Sequence, residues 1–139
     1  MTDRETERTR AVVRQYFERM GEREWAGFGD LLAVDVRYEL PQTNELITGR
    51  ERLVQFNQEY PGDWSFEVTR LIADGTTAAG SMNFKVGTEE MVALVYFEVA
   101  DGLITRITDF WPEQYEPPAG REHLVERSPN GLDRFTMDD

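Results

Sequence analysis

The chain has 139 residues and a formal net charge of −12, a length that suits one domain with its own core. The excess of acidic groups argues against nucleic acid or an anionic membrane as a partner, since either would repel the chain. There is no cysteine and only one histidine, His123, so no disulfide and no transition-metal site are expected. No apolar run reaches the length of a membrane span, and we predict a cytoplasmic location.

Two helices and a strand are predicted at the start of the chain. Thr2 and Glu5 match a capping box, and apolar residues at helical spacing continue the first helix to about Met20. The second helix is short and carries Trp25, Phe28, Leu31 and Leu32. The segment VDVRYEL alternates apolar and polar residues, which predicts a strand with one apolar face formed by Val34, Val36, Tyr38 and Leu40.

A third helix and a run of strands follow. Thr48 and Glu51 match a second capping box, which opens a helix containing Leu53, Phe56 and Tyr60. Turns rich in glycine then separate four predicted strands at about residues 64–73, 77–86, 90–99 and 103–112. This order predicts an α+β fold with the helices on one side of a curved antiparallel sheet. We place the domain at residues 1–118 and a polar C-terminal tail, partly ordered or disordered, at 119–139.

The strand EMVALVYFEV is apolar on both of its faces. A sheet with one face in water normally alternates between apolar and polar residues, so something must cover the second face. Since the helices already cover the first, we predict a homodimer through the outer sheet face, covering Val92, Leu94 and Tyr96.

The last strand places one carboxylate, that of Asp109, on an otherwise largely apolar face. Period-two alternation puts five residues on this face, namely Leu103, Thr105, Ile107, Asp109 and Trp111. A three-residue turn at 100–102 would pair Ala93 with Asp109 on the concave side of the sheet, whereas a two-residue turn would rotate Asp109 outward. We favour the three-residue turn.

Burial would raise the pKa of Asp109 and make the carboxyl group useful as a base or acid near neutral pH. Tyr16 and Tyr38 are the candidate hydroxyl donors near it. The alternative is structural: Asp109 caps a backbone amide or pairs with Arg70, and Tyr16 is a core residue with a satisfied hydroxyl group.

The order of elements resembles the SnoaL-like, nuclear-transport-factor-2-like superfamily over roughly residues 5–118. The segments that carry this resemblance are AVVRQYFERMGEREWAGFGDLLAVDVRYEL, ITGRERLVQFNQEY, FEVADGLITRITDFW and WPEQYEPP. The resemblance implies a cone, in which the sheet wraps the long helix and leaves a central pocket at the wide end. Members of this superfamily include steroid isomerases, polyketide cyclases, dehydratases, epoxide hydrolases and non-catalytic binding modules, so the fold alone does not assign an activity.

The resemblance can be followed residue by residue. In the steroid-isomerase pattern Tyr16 matches the oxyanion-binding tyrosine, but the two carboxylate positions fall on Leu40 and Val95. The cyclase pattern places its proton-accepting aspartate at Asp109, although Ile107 and Thr108 stand where the family often has His-Trp. The matching strand of this chain lacks the Arg and Asp residues of the epoxide-hydrolase pattern. The matched region also lacks the pocket histidines of the scytalone-dehydratase pattern.

We therefore predict a small cofactor-free enzyme of the cyclase, isomerase or dehydratase type, acting on a small apolar, natural-product-like molecule. Asp109 would transfer the proton, and Tyr16 or Tyr38 would stabilise the charge that develops on oxygen. No metal site is predicted. The residues predicted to line the pocket are Tyr38, Phe56, Trp64, Phe84 and Trp111. The alternative is a non-catalytic module of the same fold that binds a small ligand or a partner.

Overall fold

The computed structural model describes residues 3–127, and this part of the chain contains three helices and six strands. The helices are α1 (Arg4–Glu22), α2 (Trp25–Asp30) and α3 (Arg50–Gln58). The strands are β1 (Leu32–Leu40), β2 (Glu45–Thr48), β3 (Trp64–Asp74), β4 (Thr77–Val86), β5 (Glu89–Ala100) and β6 (Leu103–Phe110). The predicted α+β class, with a long first helix and two shorter ones, is confirmed.

The six strands form one sheet in the order β2-β1-β6-β5-β4-β3. Consecutive strands from β3 to β6 pair antiparallel, as predicted, but β1 pairs with β6 in parallel. The sheet is therefore mixed. The four-residue strand β2 was not predicted, because the capping-box match assigned Thr48 to the start of α3. In the structure Thr48 ends β2, and the N-cap of α3 is Gly49, which makes no side-chain capping bond.

Helix α1 is attached to the sheet near its N-terminal end. Its N-cap is Asp3, whose side chain accepts a hydrogen bond from the backbone of Thr6 at 2.7 Å; the predicted cap, Thr2, lies outside the described residues. The hydroxyl of Thr9 donates to the carbonyl of Gly75 at 2.6 Å, and the backbone N–H of Gly75 donates to the hydroxyl of Thr6 at 2.8 Å. These bonds fix the helix against the turn between β3 and β4.

The core lies between α1 and the concave face of the sheet. Phe17 approaches the sheet at Gly80, where a Cβ atom would lie 3.3 Å from the ring of Phe17. Such a contact is tighter than ordinary packing, so the absence of a side chain at residue 80 lets the helix settle this close to β4. The wholly or almost wholly buried side chains include Val13, Phe28, Leu32, Val36, Leu53, Phe97, Ile104 and Ile107.

The turn between β5 and β6 differs from the predicted one. Ala100 pairs with Leu103, so the turn has two residues, Asp101 and Gly102. Both have positive φ, 52° and 79°, as the type I′ turns of two-residue hairpins require. The predicted three-residue turn, which would have paired Val99 with Leu103, is therefore wrong.

A β-bulge at Thr105 then restores the inward orientation of Asp109. Val99 pairs with Ile104, but Glu98 pairs with Arg106, which leaves Thr105 as one extra residue on β6. One extra residue reverses the face to which all later side chains point. Asp109 therefore faces the concave side as predicted, although it lies opposite Val95 and not Ala93. Before the bulge the faces are exchanged, so Leu103 is exposed and Ile104 is buried.

Strand β1 carries a similar irregularity. Leu32 pairs with Ile104 and Arg37 pairs with Arg106, so five steps along β1 match two steps along β6. The alternation expected for this strand fails at Val34, which was predicted on the apolar face but is 71% exposed. The predicted alternation holds again at Val36 and Tyr38, which are buried as predicted. Leu32, predicted in the second helix, begins β1 instead.

The described part of the C-terminal segment has no helix or strand after β6. The sequence at about 122–127 predicted a short helix, but residues 122–124 form a turn, closed by a hydrogen bond from the backbone N–H of Leu124 to the carbonyl of Arg121 at 3.0 Å. The rest of the predicted tail, residues 128–139, lies outside the described residues. Within residues 3–127 we find no helix with both the length and the apolar character needed to cross a membrane.

Candidate functional site

A cavity of about 1350 Å³ lies between the concave face of the sheet and the helices. Helices α1 and α3 and all six strands contribute residues to its wall, and so do the loops after β1, α3 and β6. All seven residues that the sequence singled out line this cavity: Tyr16, Tyr38, Phe56, Trp64, Phe84, Asp109 and Trp111. The structure thus brings the predicted residues to one place, while the roles assigned to them stay predictions.

Asp109 is the central polar group of the cavity wall. It is 5% exposed, and its Oδ2 accepts a hydrogen bond from the hydroxyl of Tyr38 at 2.5 Å. Oδ1 is buried and has no hydrogen-bond partner in the described part of the chain. The proposed pairing with Arg70 is not what holds this carboxylate, because Arg70 is exposed on β3 and Tyr38 occupies Oδ2.

Burial raises the pKa of Asp109 from 3.8 to about 6, because the ionised form loses most of its hydration. The hydrogen bond from Tyr38 acts in the opposite direction, as does the side chain of Trp111 more weakly, since both favour the ionised carboxylate. A carboxyl group with a pKa of about 6 exchanges its proton readily near neutral pH, which is what a general base or acid requires.

The two tyrosines differ in their relation to Asp109. Burial and the negative charge of Asp109 hold the pKa of both hydroxyl groups well above 10, so both stay protonated and act as donors. Tyr38 contacts Asp109 directly. The hydroxyl of Tyr16 makes no hydrogen bond within residues 3–127, and its ring packs against Phe28 and Phe97 at centroid distances of 4.9 and 5.1 Å.

The tyrosine that orients the carboxylate is thus Tyr38, a residue that the sequence assigned mainly to substrate binding. Its identity follows from the pairing of β1 with β6, in which Tyr38 lies opposite Ile107, two residues before Asp109. Tyr16 lines the cavity with an unsatisfied hydroxyl group, which is available to a ligand oxygen.

Aromatic rings form most of the remaining wall. Trp64 stacks on Phe84 at a centroid distance of 5.8 Å, and Phe84 meets Trp111 edge to face at 5.0 Å. Phe56 packs against Tyr38 at 5.7 Å and against Tyr60 at 6.3 Å. Tyr60 was not predicted as a site residue, although its spacing of four from Phe56 along the helix was a signal that the two side chains are neighbours.

Arg23 fixes the position of Trp64 and was not predicted either. Its guanidinium lies over the indole at 3.7 Å from the ring centroid, and it donates to the carbonyl groups of Trp64 and Gly21. The contact depends on the left-handed backbone of Arg23, with φ of 57°, at the end of α1. No local sequence pattern indicates such a conformation for an arginine.

The chemistry of the site is that of proton transfer and apolar binding. Within the described residues there is no group of three or more His, Cys, Asp or Glu side chains that could hold a metal ion. Asp109 supplies a carboxylate with a raised pKa, Tyr38 holds it, and aromatic rings line much of the surrounding wall. An apolar ligand with a few polar groups fits a cavity of this composition.

A family model described as a SnoaL-like domain matches residues 13–107. Because the match covers more than half of the chain, the protein belongs to the SnoaL-like family, and the resemblance inferred from the sequence is confirmed. No curated protein matches the chain.

Solved structures show the same fold. A candidate ketosteroid isomerase from Kribbella flavida is 62% identical, with a TM-score of 0.90 over 94% of this chain and 97% of that one. An NTF-2-like protein of unknown function from Burkholderia xenovorans is 20% identical, with a TM-score of 0.78 over 91% and 99%. A candidate polyketide cyclase from Xanthomonas campestris is 21% identical, with a TM-score of 0.65 over 78% and 93%. The chain is thus similar to enzyme-type members of its family.

Proposed function

We propose that the protein is a small cofactor-free enzyme of the cyclase, isomerase or dehydratase type, which transfers a proton on a largely apolar, natural-product-like substrate. The observation that carries this proposal is the carboxylate of Asp109: it lines an aromatic cavity, is held through one oxygen by Tyr38 and has no partner at the other. A buried carboxylate left without a partner destabilises a fold, which favours a functional role for it.

In this proposal Asp109 accepts a proton from an acidic carbon of the substrate and returns it at a second position or to a leaving group. Tyr38 stays protonated and keeps the carboxylate in one orientation. The hydroxyl of Tyr16, which no described residue occupies, stabilises a substrate oxygen as negative charge develops on it. The name of the Kribbella flavida relative supports an isomerase among these reaction types.

A general test of the base does not need the natural substrate. In 5-nitrobenzisoxazole, a base removes the proton from C3, the C–H electrons form a nitrile and the N–O bond breaks to release a coloured cyanonitrophenolate. We expect the wild type to catalyse this elimination with a pH profile that rises through about 6, and Asp109→Asn to lower the rate by roughly 10²–10⁴-fold.

Asp35→Asn is the matched control, because it removes one exposed carboxylate of β1 that does not line the cavity. Its rate should equal that of the wild type. Equal rates for the wild type and Asp109→Asn across the pH range would contradict Asp109 as the base.

The second candidate is a non-catalytic binding module of the same fold. It is favoured by the packing of Tyr16, whose ring is held among Phe17, Phe28 and Phe97 as in an ordinary core. Saturable binding of an apolar fluorophore without any elimination activity that depends on Asp109 would support it. In both candidates a small apolar molecule is the partner, and the homodimer through the outer sheet face and the cytoplasmic location are further proposals.

A further inference from the structure

The charged residues that line the cavity all carry the same sign. Besides Asp109 they are Glu45, Glu89, Glu90 and Glu113, and no Lys, Arg or His is among the described lining residues. Glu90 lies 3.9 Å from the ammonium group of the exposed Lys85. Glu45, Glu89 and Glu113 form no ion pair within residues 3–127. The four glutamates are exposed and Asp109 is buried, and no cationic residue of the described wall offsets their negative charge.

One cation that contacts a ring of the wall, that of Arg23, is already engaged. Arg23 lies over Trp64 and donates to the carbonyl groups of Trp64 and Gly21, and it does not line the cavity. It therefore covers one face of Trp64 and does not cover the other rings of the cavity wall: Tyr38, Phe56, Phe84 and Trp111.

These rings, like the carboxylates, favour a cationic ligand. The faces of Trp, Tyr and Phe rings attract cations, and the attraction is larger where water is excluded. Phe84 and Trp111 stand edge to face at 5.0 Å, and Trp111 follows Asp109 by two residues, close enough to influence its ionisation. Aromatic side chains and the carboxylate residue Asp109 thus line the same cavity.

An anionic ligand would be disfavoured in this cavity. Five carboxylates line it, and the donors near Asp109 are neutral groups: the hydroxyl groups of Tyr16 and Tyr38 and the indole N–H of Trp111. A ligand carboxylate or phosphate would find no charged partner there, and its loss of hydration would not be offset. A positive charge would pair with the carboxylate of Asp109, and a protonated amine could in addition donate to Oδ1, which has no hydrogen-bond partner in the described part of the chain.

We propose that the ligand of this cavity is an organic cation: a largely apolar molecule with one amino or quaternary ammonium group, whose charge is held by Asp109 and the neighbouring aromatic rings. The proposal rests on the proposed function in that it takes this cavity as the substrate site. It narrows the substrate class from apolar molecules in general to lipophilic amines.

Two probes of the same shape test it. Phenyltrimethylammonium and tert-butylbenzene differ only in that a charged nitrogen replaces a carbon atom. We expect one molecule of the cation to bind per chain, at least about 10-fold more tightly than the neutral probe. Binding is measured by titration calorimetry in about 0.15 M salt, which screens the general attraction of a chain with net charge −12 for cations. The indole N–H signals of the three tryptophans report the location.

Asp109→Asn should abolish the preference for the cation while the neutral probe binds as before. Asp35→Asn again serves as the control, because both variants lower the acidic charge by one and only the first changes the cavity. Equal or tighter binding of tert-butylbenzene to the wild type, absence of saturable cation binding, or a preference that survives in Asp109→Asn would each overturn the proposal.

A pH titration of the wild type keeps the test valid if Asp109→Asn does not fold. The charge of the quaternary probe does not change with pH, so its binding should weaken as the pH falls through about 6 and Asp109 is protonated. Tyr16 and Tyr38 stay protonated throughout this range. A cation affinity that is constant between about pH 7.5 and 5.5 would count against Asp109 as its partner.

The two proposals can fail separately. Elimination that depends on Asp109, combined with equal binding of the two probes, would leave the proton-transfer enzyme standing and remove the cationic ligand. Selective binding of the cation without elimination activity would leave the cationic ligand standing and favour the binding module.

Discussion

At Asp109 the folded chain keeps a proton that the unfolded chain releases, because burial raises the pKa from 3.8 to about 6. Below pH 4 the group is protonated in both states. Between pH 4 and 6 the folded state binds more protons than the unfolded state, so the free energy of unfolding decreases as the pH rises. Above pH 6 the ionised carboxylate costs about 3 kcal/mol of stability, at 1.36 kcal/mol for each pKa unit.

Asp109→Asn should therefore stabilise the fold at neutral pH, by up to about 3 kcal/mol, since the amide has no charge to bury. Near pH 4 the variant and the wild type should be equally stable. Urea unfolding at both pH values measures this difference. A variant that is less stable than the wild type at neutral pH would show instead that Asp109 anchors the structure.

Tyr38→Phe should raise the pKa of Asp109 further, because it removes the hydroxyl group that favours the ionised form. The midpoint of the pH profile for elimination should then move above about 6, and direct titration of the carboxyl group by NMR should show the same shift. Tyr16→Phe is the control, since Tyr16 makes no hydrogen bond to Asp109 and should leave the midpoint unchanged. If the midpoint shifted in Tyr16→Phe and not in Tyr38→Phe, Tyr16 would be the tyrosine that acts on the carboxylate, contrary to this prediction.

At the level of helices and strands, most of the fold could be predicted from local patterns. Helical spacing, alternation and the Asp-Gly turns were sufficient to find all three helices and strands β1 and β3–β6. They were not sufficient for β2, because four residues are too few to show alternation. They also failed at Val34, because a bulge changes the face of a residue without changing its type.

The inward orientation of Asp109 was predicted for a reason that the structure does not support. The segment DGLITRITD is compatible with both turn lengths, and nothing local to it indicates a bulge at Thr105. The short turn and the bulge each reverse the face, so their effects cancel. The contact between Tyr38 and Asp109 could not be predicted either, because it requires β1 and β6 to be neighbours although they are 71 residues apart at this bond.

At the scale of the whole molecule, the outer face of the sheet carries an exposed apolar patch. Ile72, Leu94 and Tyr96 are 59%, 41% and 53% exposed. They lie on β3 and β5, which flank the shorter side chains of β4. The ring of Tyr96 meets that of Phe110 edge to face at 5.8 Å. Apolar side chains that are continuous across several strands are typical of an interface.

Leu94→Glu should weaken the proposed homodimer, because it would bury a charge between the two copies. Sedimentation at micromolar concentration should give twice the chain mass of 16.1 kDa for the wild type and a lower mass for the variant. Leu124→Glu makes the same substitution at an exposed leucine outside the sheet and should not change the mass. A monomeric wild type would refute the dimer.

Both ends of α1 are tied to the sheet, by Thr6 and Thr9 at the turn after β3 and by Arg23 at the start of the same strand. Because α1 is fixed at both ends, this wall of the cavity is already ordered before a ligand binds. The conformational entropy of this helix is therefore lost during folding, and little binding free energy is needed to order it when a ligand binds. The affinity of a ligand then depends mainly on how well its shape and charge match those of the cavity.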